Sequence, residues 1–423
     1  MRDTPPTPPI DWTEQRVFMG RQFYVWQVNL YSLLAVLFVA FIGFSFSGPF
    51  LPLLVRQLGV TDPRAMALWS GVLSGLGPLS AVITSPFWGR LADRIGGRLL
   101  LLRTVFGFAL LNALCASATN IWQLAGLRLL MGALGGFTAV ALALASMSAP
   151  PERTTRSIAL VQSVQILSLM VGPALGGLMA DHWGIRSAFF GSSALAVVAG
   201  LNMLLMYRDP RAYELQRQKR QATGTRASFR TILQTPCFVP ILFVLFAGTF
   251  TNRTYQPLIP LFVASVAPSQ DAVASLTGFI VAGGALAATL SANVASRLVP
   301  RFTHAQILLV SLLMCACGSA LMVLSHNALQ FGLLRVAVGL FDGSILTLAY
   351  GLGGSVIPGE NRASAFGVLN SGSLVGSAVS PMIGGALAAF SLRAAFLFNT
   401  GIFLCGALVA WRGLGVRRKS APA

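Results

Sequence analysis

Four charged side chains lie well inside long apolar stretches of the sequence and are the best candidates for a function: Arg128, Arg253, Arg335 and Asp342. Stretches of this length are typical of membrane-spanning helices, in which an ionisable group costs several kcal/mol and is a functional hypothesis by default. Asp342 is the one acid well inside any of these stretches. A carboxyl group there can take up and release a proton, and a nearby arginine can tune that exchange. The residue types therefore predict proton exchange at Asp342.

The spacing of these residues indicates which of them can act together. Arg335 precedes Asp342 by seven residues, or two helical turns, so both side chains lie on one side of a helix. At about 1.5 Å per residue, Asp342 lies about 21 Å from the outward-facing end of its apolar stretch. By the same rise, Arg253 lies about 16 Å from the outward-facing end of its own stretch. Two interpretations remain open. Either Asp342 exchanges protons and Arg253 or Arg335 tunes it, or a static buried pair locks two helices together.

The elements that carry these residues are predicted to be transmembrane helices. Of the 423 residues, 55% are hydrophobic and only 10% are charged, whereas a soluble domain has about 25% charged residues. The hydrocarbon core requires about 20 apolar residues in a helix. About twelve stretches meet this requirement, near residues 28–55, 66–90, 98–118, 121–149, 155–180, 186–207, 237–264, 272–298, 304–325, 328–356, 362–390 and 393–413. The predicted fold class is an all-α integral membrane protein.

Basic residues between the stretches predict the orientation and the segments of the chain. Most of the 30 Lys and Arg residues fall in the alternate gaps that include both termini, and this bias marks the cytoplasmic side. The longest polar gap lies in the middle of the chain. We therefore expect a cytoplasmic tail at 1–27, a six-helix half at 28–207, a cytoplasmic linker at 208–235, a second six-helix half at 236–413 and a cytoplasmic tail at 414–423.

The two halves repeat each other at an offset of 207 or 208 residues. The matched positions include Asn120, Gln123, Arg128, Gly132 and Gly136 with Asn327, Gln330, Arg335, Gly339 and Gly343. Six spans per copy give both copies the same direction, which predicts two pseudo-symmetric six-helix bundles. Transporters with such parallel repeats bind substrate near mid-membrane, between the halves. As repeat mates, Arg128 and Arg335 suit a structural role, anchored to backbone carbonyls, as well as a role in coupling.

Three motifs carry a resemblance to a known family. Residues 89–98, after span two, read GRLADRIGGR and resemble the signature loop of the major facilitator superfamily. Leu124, Arg128 and Gly132 in span four resemble its second motif. Residues 172–177 in span five read GPALGG and resemble the antiporter motif of its drug:proton exporters. Over residues 28–413 the chain resembles the twelve-helix drug:proton antiporters, the multidrug exporters of this superfamily.

The resemblance implies roles for the motif residues. The signature loop, with Gly89, Asp93, Arg94, Gly96 and Arg98, is expected to be a cytoplasmic gate in which Asp93 caps a helix of the opposite half. A plain cytoplasmic loop is the alternative. The antiporter motif is expected to pack helices closely through its small residues, with a bend at its proline. Its residues are Gly172, Pro173, Gly176 and Gly177.

The resemblance also implies where the charged residues meet. Spans one, four, seven and ten line the cavity in this family, so Arg253 is expected to reach Asp342. Many relatives carry an acid in span one or four, whereas this chain has Ser45 and Gly135 at the positions that match Arg253 and Asp342. Coupling therefore depends on one acid, or is absent.

The predicted function is secondary active transport, with proton-coupled export of small amphiphilic compounds or drugs by alternating access. Three intramembrane arginines against one aspartate favour neutral or anionic amphiphiles as cargo, with protons and the lipid bilayer as the other partners. A proton-coupled importer or facilitator of a small metabolite is the alternative within transporters, and a non-transporting membrane scaffold or receptor is the alternative outside them. The resemblance implies a bacterial inner membrane, and we expect a monomer.

The sequence argues against the other classes of function. The basic residues that give the net charge of +18 lie in short gaps between apolar stretches, not in the contiguous patch of a nucleic-acid-binding protein. No nucleophile–base pair, phosphate-binding glycine loop or metal-ligand spacing is recognisable, so neither an enzyme nor a metal site is predicted. We expect no cofactor, and the proton gradient is the predicted energy source.

Overall fold

The computed structural model describes residues 15–18, 21–95, 97–135, 137–147, 153–207, 237–266, 272–356 and 362–414. Its first element is a short antiparallel hairpin, formed by β1 (Gln15–Phe18) and β2 (Arg21–Tyr24). This hairpin lies within the predicted tail at 1–27. The rest of the described chain is helical. The predicted linker at 208–235 and nearly all of the predicted tail at 414–423 lie outside the described residues.

In its described residues the first half comprises eight helices, which correspond to the six predicted spans. The helices are α1 (Val25–Phe46), α2 (Leu51–Gln57), α3 (Pro63–Ile95), α4 (Gly97–Ser117), α5 (Ile121–Ala133), α6 (Phe137–Met147), α7 (Thr154–Trp183) and α8 (Ile185–Met206). A 3-10 turn at Gly48–Phe50 separates α1 from α2. Pro49 and Pro52 lack the backbone N–H that a continuous α-helix needs there, so span one is broken at this point.

The second half repeats this plan, with six helices among its described residues. They are α9 (Phe238–Val266), α10 (Val273–Leu298), α11 (His304–Met322), α12 (Ala328–Val356), α13 (Arg362–Phe390) and α14 (Leu392–Gly413). Each half has its own hydrophobic core, in which Leu37 and Val105 are fully buried in the first and Leu312 and Phe403 in the second. The predicted fold class, all-α with two helical bundles, is confirmed.

Ten helical stretches in the described residues are long and apolar enough to cross a membrane. Predicted spans four and seven are not among them. Span four is divided into α5 and α6, neither of which is long enough to cross a membrane alone. Span seven is the continuous 29-residue helix α9, but it carries the polar run Thr251–Thr254, which lowers its mean hydropathy. The break in span four places polar backbone groups inside the bundle, and the polar run in span seven places polar side chains there.

The halves meet mainly through two equivalent pairs of helices. Helix α3 of the first half packs along α13 of the second, and α7 packs along α10. These are spans two and eleven, and spans five and eight, so the repeat exchanges one pair with the other. Helix α7 ends and α10 begins at the same end of the bundle, and Asp181 lies there as the third residue from the end of α7. We call this end of the bundle the Asp181 end.

Candidate functional site

Asp342 is buried between α12 and α9, where it is 2% exposed. Asn252 of α9 donates a hydrogen bond from Nδ2 to Asp342 Oδ2 over 2.5 Å. Asp342 Oδ1 has no hydrogen-bond partner among the described residues. A buried carboxylate with an unpaired oxygen is unfavourable unless it is neutralised or bound by a further group. Asp342 thus has one oxygen committed to α9 and one available for a proton.

Arg335 lies two turns before Asp342 on α12 and is also buried, at 7% exposure. Its charge acts on Asp342, although its Nε and Nη1 make no hydrogen bond to any described residue. The guanidinium carbon lies 5.0 Å from the centroid of the Tyr255 ring, a cation–π distance. A Cβ at Gly284 of α10 would lie 3.3 Å from that carbon. Gly284 therefore makes room for the guanidinium group between α12 and α10.

Tyr255 extends this cluster towards α11 and α14. It is 1% exposed, and its hydroxyl donates to Ser319 Oγ over 3.0 Å. Ser319 in turn donates to the backbone carbonyl of Phe396 over 3.0 Å. We call Asn252, Tyr255, Ser319, Arg335 and Asp342 the buried polar cluster. Asn252, Tyr255 and Ser319 were not predicted, because an uncharged polar residue in an apolar stretch is a weaker signal than a charge.

Arg253 does not join the buried polar cluster. Its side chain is exposed, whereas its neighbours Thr251 and Thr254 on α9 are buried. No hydrogen bond or ion pair joins Arg253 to a described residue, and the arginine that acts on Asp342 is Arg335. Successive residues of a helix point about 100° apart, so Asn252 faces Asp342 while Arg253 points to another side of α9. The expected contact between Arg253 and Asp342 is absent from this structure.

Arg128, the repeat mate of Arg335, lies on α5 and is partly buried. Its Nε and Nη2 have no hydrogen-bond partner among the described residues, and its guanidinium carbon is 5.8 Å from the Phe189 ring centroid. Anchoring to backbone carbonyls is seen instead at Arg103 of α4. Its Nη2 donates over 2.7 Å to the carbonyl of Leu134, at the break between α5 and α6. Arg103 therefore satisfies backbone groups that the broken span four leaves free.

The antiporter motif lies at two different helix contacts. A Cβ on Gly172 would meet Ser45 Oγ, and a Cβ on Gly176 would meet the carbonyl oxygen of Phe46, so both glycines face α1 in the same half. A Cβ on Gly177 would lie 2.5 Å from the carbonyl oxygen of Ala274 on α10, in the opposite half. The carbonyl of Pro173 in turn approaches Gly278 of α10. Close packing by this motif is therefore observed both within and between the halves.

The same contact between the halves recurs at the repeat mates. A Cβ on Gly385 of α13 would lie 2.6 Å from the carbonyl oxygen of Ala67 on α3, and the carbonyl of Pro381 approaches Gly71. Gly385 and Pro381 follow Gly177 and Pro173 by 208 residues, and Ala67 and Gly71 precede Ala274 and Gly278 by 207. The repeat read from the sequence thus predicts helix contacts residue by residue.

The signature loop departs from its predicted position. Helix α3 continues to Ile95, so Gly89, Asp93 and Arg94 belong to its last two turns and not to a loop after residue 90. Their side chains, and Gly96 as a whole, lie outside the described residues. Arg98, the second residue of α4, donates from Nη2 to the carbonyl of Leu204 over 2.9 Å, which ties α4 to α8. The gate role of Asp93 stays a prediction.

Within the described residues no group of three or more His, Cys, Asp or Glu side chains is close enough to bind a metal ion. The chemistry that the buried polar cluster can perform is proton uptake at Asp342 Oδ1, under the influence of the Arg335 charge.

Comparisons with known proteins define the class. The profile of the Major Facilitator Superfamily matches residues 33–328 and 269–423. The chain is 33% identical over 404 residues to the multidrug resistance protein MdtG of Klebsiella pneumoniae (strain 342), covering 94% of this chain and 96% of that protein. It is 32% identical over 398 residues to MdtG of Escherichia coli (strain K12 / DH10B), covering 93% and 96%. The chain therefore belongs to the major facilitator superfamily, whose members are transporters and not enzymes.

Solved structures with low sequence identity share the fold. A bacterial homologue of the human lysosomal transporter Spinster, in an inward-facing and unoccupied conformation, superposes with a TM-score of 0.74 at 16% identity, covering 94% of this chain and 99% of that one. A D-xylose–proton symporter superposes with a TM-score of 0.73 at 12% identity, covering 92% and 98%. At these identities the likeness concerns the fold alone.

Proposed function

We propose that this protein is a proton-coupled exporter of small amphiphilic compounds that works by alternating access. The observation that carries the proposal is Asp342 itself, a buried acid with one oxygen held by Asn252 and the other without a partner among the described residues. Relatives named for multidrug resistance favour drugs as cargo. The distribution of basic residues favours both termini in the cytoplasm and the Asp181 end on the outer face of the cell membrane. We expect the protein to act as a monomer.

In the proposed mechanism, the charge of Asp342 controls the contact between α12 and α9. An ionised Asp342 attracts the guanidinium of Arg335, whose Nε and Nη1 make no hydrogen bond within the described part of the chain. A protonated Asp342 is neutral and loses most of that attraction. Proton binding therefore changes the balance between the Arg335 and Asn252 contacts, which lie on different helices. Such a change can bias the second half towards one of two arrangements.

Arg253 is the proposed contact for the cargo. It is an exposed cation on a helix whose surrounding residues are packed, and no described side chain neutralises it. A fixed positive charge attracts an anionic group and repels a cationic one. Neutral and anionic amphiphiles are therefore the proposed substrates, with the cation setting the preference between charge types.

The test uses proteoliposomes with a pH dye inside and no imposed gradient. Anionic, neutral and cationic amphiphiles are added to the wild type, to Asp342→Asn, and to Asp62→Asn as a control acid outside the bundle core. We expect substrate-dependent proton movement that Asp342→Asn abolishes and Asp62→Asn retains. Substrate movement without proton flux, unchanged in Asp342→Asn, would instead make the protein a facilitator. In cells, an exporter raises tolerance to its toxic substrates, whereas an importer changes growth on its nutrient.

A further inference from the structure

Asp181 joins the two halves at the Asp181 end of the bundle. It lies near the end of α7 in the first half and is partly buried. Its Oδ1 accepts a hydrogen bond from the backbone N–H of Ala274 over 3.2 Å, and its Oδ2 accepts one from Ser275 over 2.7 Å. Both donors belong to the first turn of α10 in the second half.

The sequence of α10 explains why this helix accepts a carboxylate from elsewhere. The first N–H groups of a helix have no partner within the helix and are usually bound by a Ser, Thr, Asp or Asn at the N-cap position. Here the N-cap residue is Ala272, whose side chain has no acceptor. Asp181 supplies the missing acceptor to the second and third residues of the helix. Its negative charge also interacts favourably with the positive end of the helix dipole.

The equivalent contact on the other side of the molecule has no such bond. The repeat mate of Asp181 is Ala389, a buried alanine of α13. Helix α3, which corresponds to α10, is capped from its own half, because Asp62 Oδ2 accepts from the N–H of Ala65 over 2.8 Å. Of the two symmetric contacts between the halves, the one between α7 and α10 carries the charged bridge.

We propose that Asp181 is a positioning residue for the transport cycle, a latch that holds the Asp181 end of the cavity closed. Gly177 and Gly278 pack the backbones of α7 and α10 together beside it, so that end cannot open unless the two helices separate. Separation breaks both hydrogen bonds, and Ala272 offers no replacement within the second half. The latch therefore stabilises the closed arrangement relative to the open one. The latch rests on the alternating access of the proposed function, but it depends neither on Asp342 nor on the cargo.

The experiment measures the distance across the Asp181 end without substrate. Spin labels are placed at Trp122 and Leu329, which are repeat mates on opposite halves and are 73% and 72% exposed. The exposed cysteines Cys237, Cys317 and Cys405 are replaced by serine. Double electron–electron resonance in lipid nanodiscs then gives the ratio of long to short distances. We expect Asp181→Ala to raise this ratio roughly 5- to 30-fold, the effect of losing about 1–2 kcal/mol of capping.

Two controls separate a latch from a merely structural cap. Asp62→Ala removes a similar cap that does not cross between the halves, and it should leave the ratio within about twofold of wild type, since a surface substitution of this kind acts locally. The double variant Asp181→Ala/Ala272→Asp gives α10 an N-cap of its own. If Asp181 is a latch, the double variant keeps the raised ratio. If it restores the wild-type ratio, or if Asp181→Ala leaves the ratio unchanged, the proposal is overturned.

A milder variant guards against misfolding. Asp181→Asn keeps an acceptor oxygen but loses the charge, so it should raise the ratio by less than Asp181→Ala does. If Asp181→Ala does not yield a monodisperse protein, the Asp181→Asn variant decides the question. A wild-type ratio in that variant would then contradict the latch, and a raised ratio would support it.

Discussion

Gly77 and Gly132 meet backbone to backbone where α3 crosses α5. A Cβ on Gly132 would collide with the carbonyl group of Gly77. The contact recurs 207 residues later, where a Cβ on Gly339 would lie 2.6 Å from the carbonyl oxygen of Gly284. Close helix contacts of this type are how membrane helices associate without a hydrophobic driving force. In the second half, this approach also places Gly284 against the guanidinium of Arg335.

We expect Gly132→Val to destabilise the first half strongly. Its side chain cannot be accommodated unless α5 moves away from α3, and overpacking of this kind costs about 1–3 kcal/mol or more. The measurement is the apparent melting temperature in detergent, followed by size-exclusion chromatography. Gly126→Val on the same helix is the matched control, because a Cβ at Gly126 meets nothing within 4 Å. Equal melting temperatures for the two variants would show that the Gly77 contact is unimportant.

Substitutions of the two adjacent glycines of the antiporter motif should impair the protein in different ways. Gly176→Leu disturbs α1 within one half, so we expect both transport and thermal stability to fall. Gly177→Val disturbs α10 in the opposite half, so we expect transport below about a tenth of wild type, with stability retained because the halves can separate. The spin-label pair at Trp122 and Leu329 should then report a more open Asp181 end. Near-normal transport by Gly177→Val would contradict a functional contact between the halves.

Asn252→Ala should weaken proton coupling more than substrate binding. The variant leaves Asp342 Oδ2 without its partner on α9, and an unsatisfied buried polar group costs about 1–3 kcal/mol, or more when it is charged. We expect the number of protons moved per substrate to fall, while the substrate concentration that gives half-maximal transport changes less than threefold. Asn293→Ala is the control, since Asn293 Nδ2 bonds within α10, to the carbonyl of Thr289. A coupling ratio identical to wild type would remove Asn252 from the coupling site.

Arg253 offers a test of the proposed cargo preference. Arg253→Gln removes the charge and keeps a polar side chain, so transport of anionic amphiphiles should fall about tenfold relative to neutral ones. Arg253→Lys retains a positive charge and should preserve the preference in part. Competition between one anionic and one neutral substrate in the same proteoliposomes measures the ratio directly. If both variants lower transport of the two substrates equally, Arg253 has a structural role.

The sequence predicts the helices because hydropathy is a local signal. It predicts their symmetry because the 207-residue offset is a signal repeated within the chain. It does not predict the partner of Asp342, because Asn252 lies 90 residues away and its charged neighbour Arg253 is the stronger signal. It also places the end of span two too early. The length of an apolar stretch reflects the thickness of the membrane core, whereas α3 continues as a helix beyond the apolar residues, through a polar sequence to Ile95. Asp181 is similarly inconspicuous, since an acid at the end of a span is ordinary until its partner is known.

The Tyr255 hydroxyl and ring have separable roles. The ring lies 5.0 Å from the Arg335 guanidinium carbon, whereas the hydroxyl bonds to Ser319. Tyr255→Phe keeps the ring and leaves Ser319 bonded to the Phe396 carbonyl, so we expect a loss of about 1 kcal/mol in stability and little change in coupling. Tyr255→Leu removes the cation–π contact from a buried arginine whose Nε and Nη1 have no hydrogen-bond partner in the part of the chain that the structure describes. Substrate-dependent proton movement in proteoliposomes should therefore fall sharply in Tyr255→Leu and persist in Tyr255→Phe. Equal losses in the two variants would mean that the hydroxyl, through Ser319, is the group that matters for coupling.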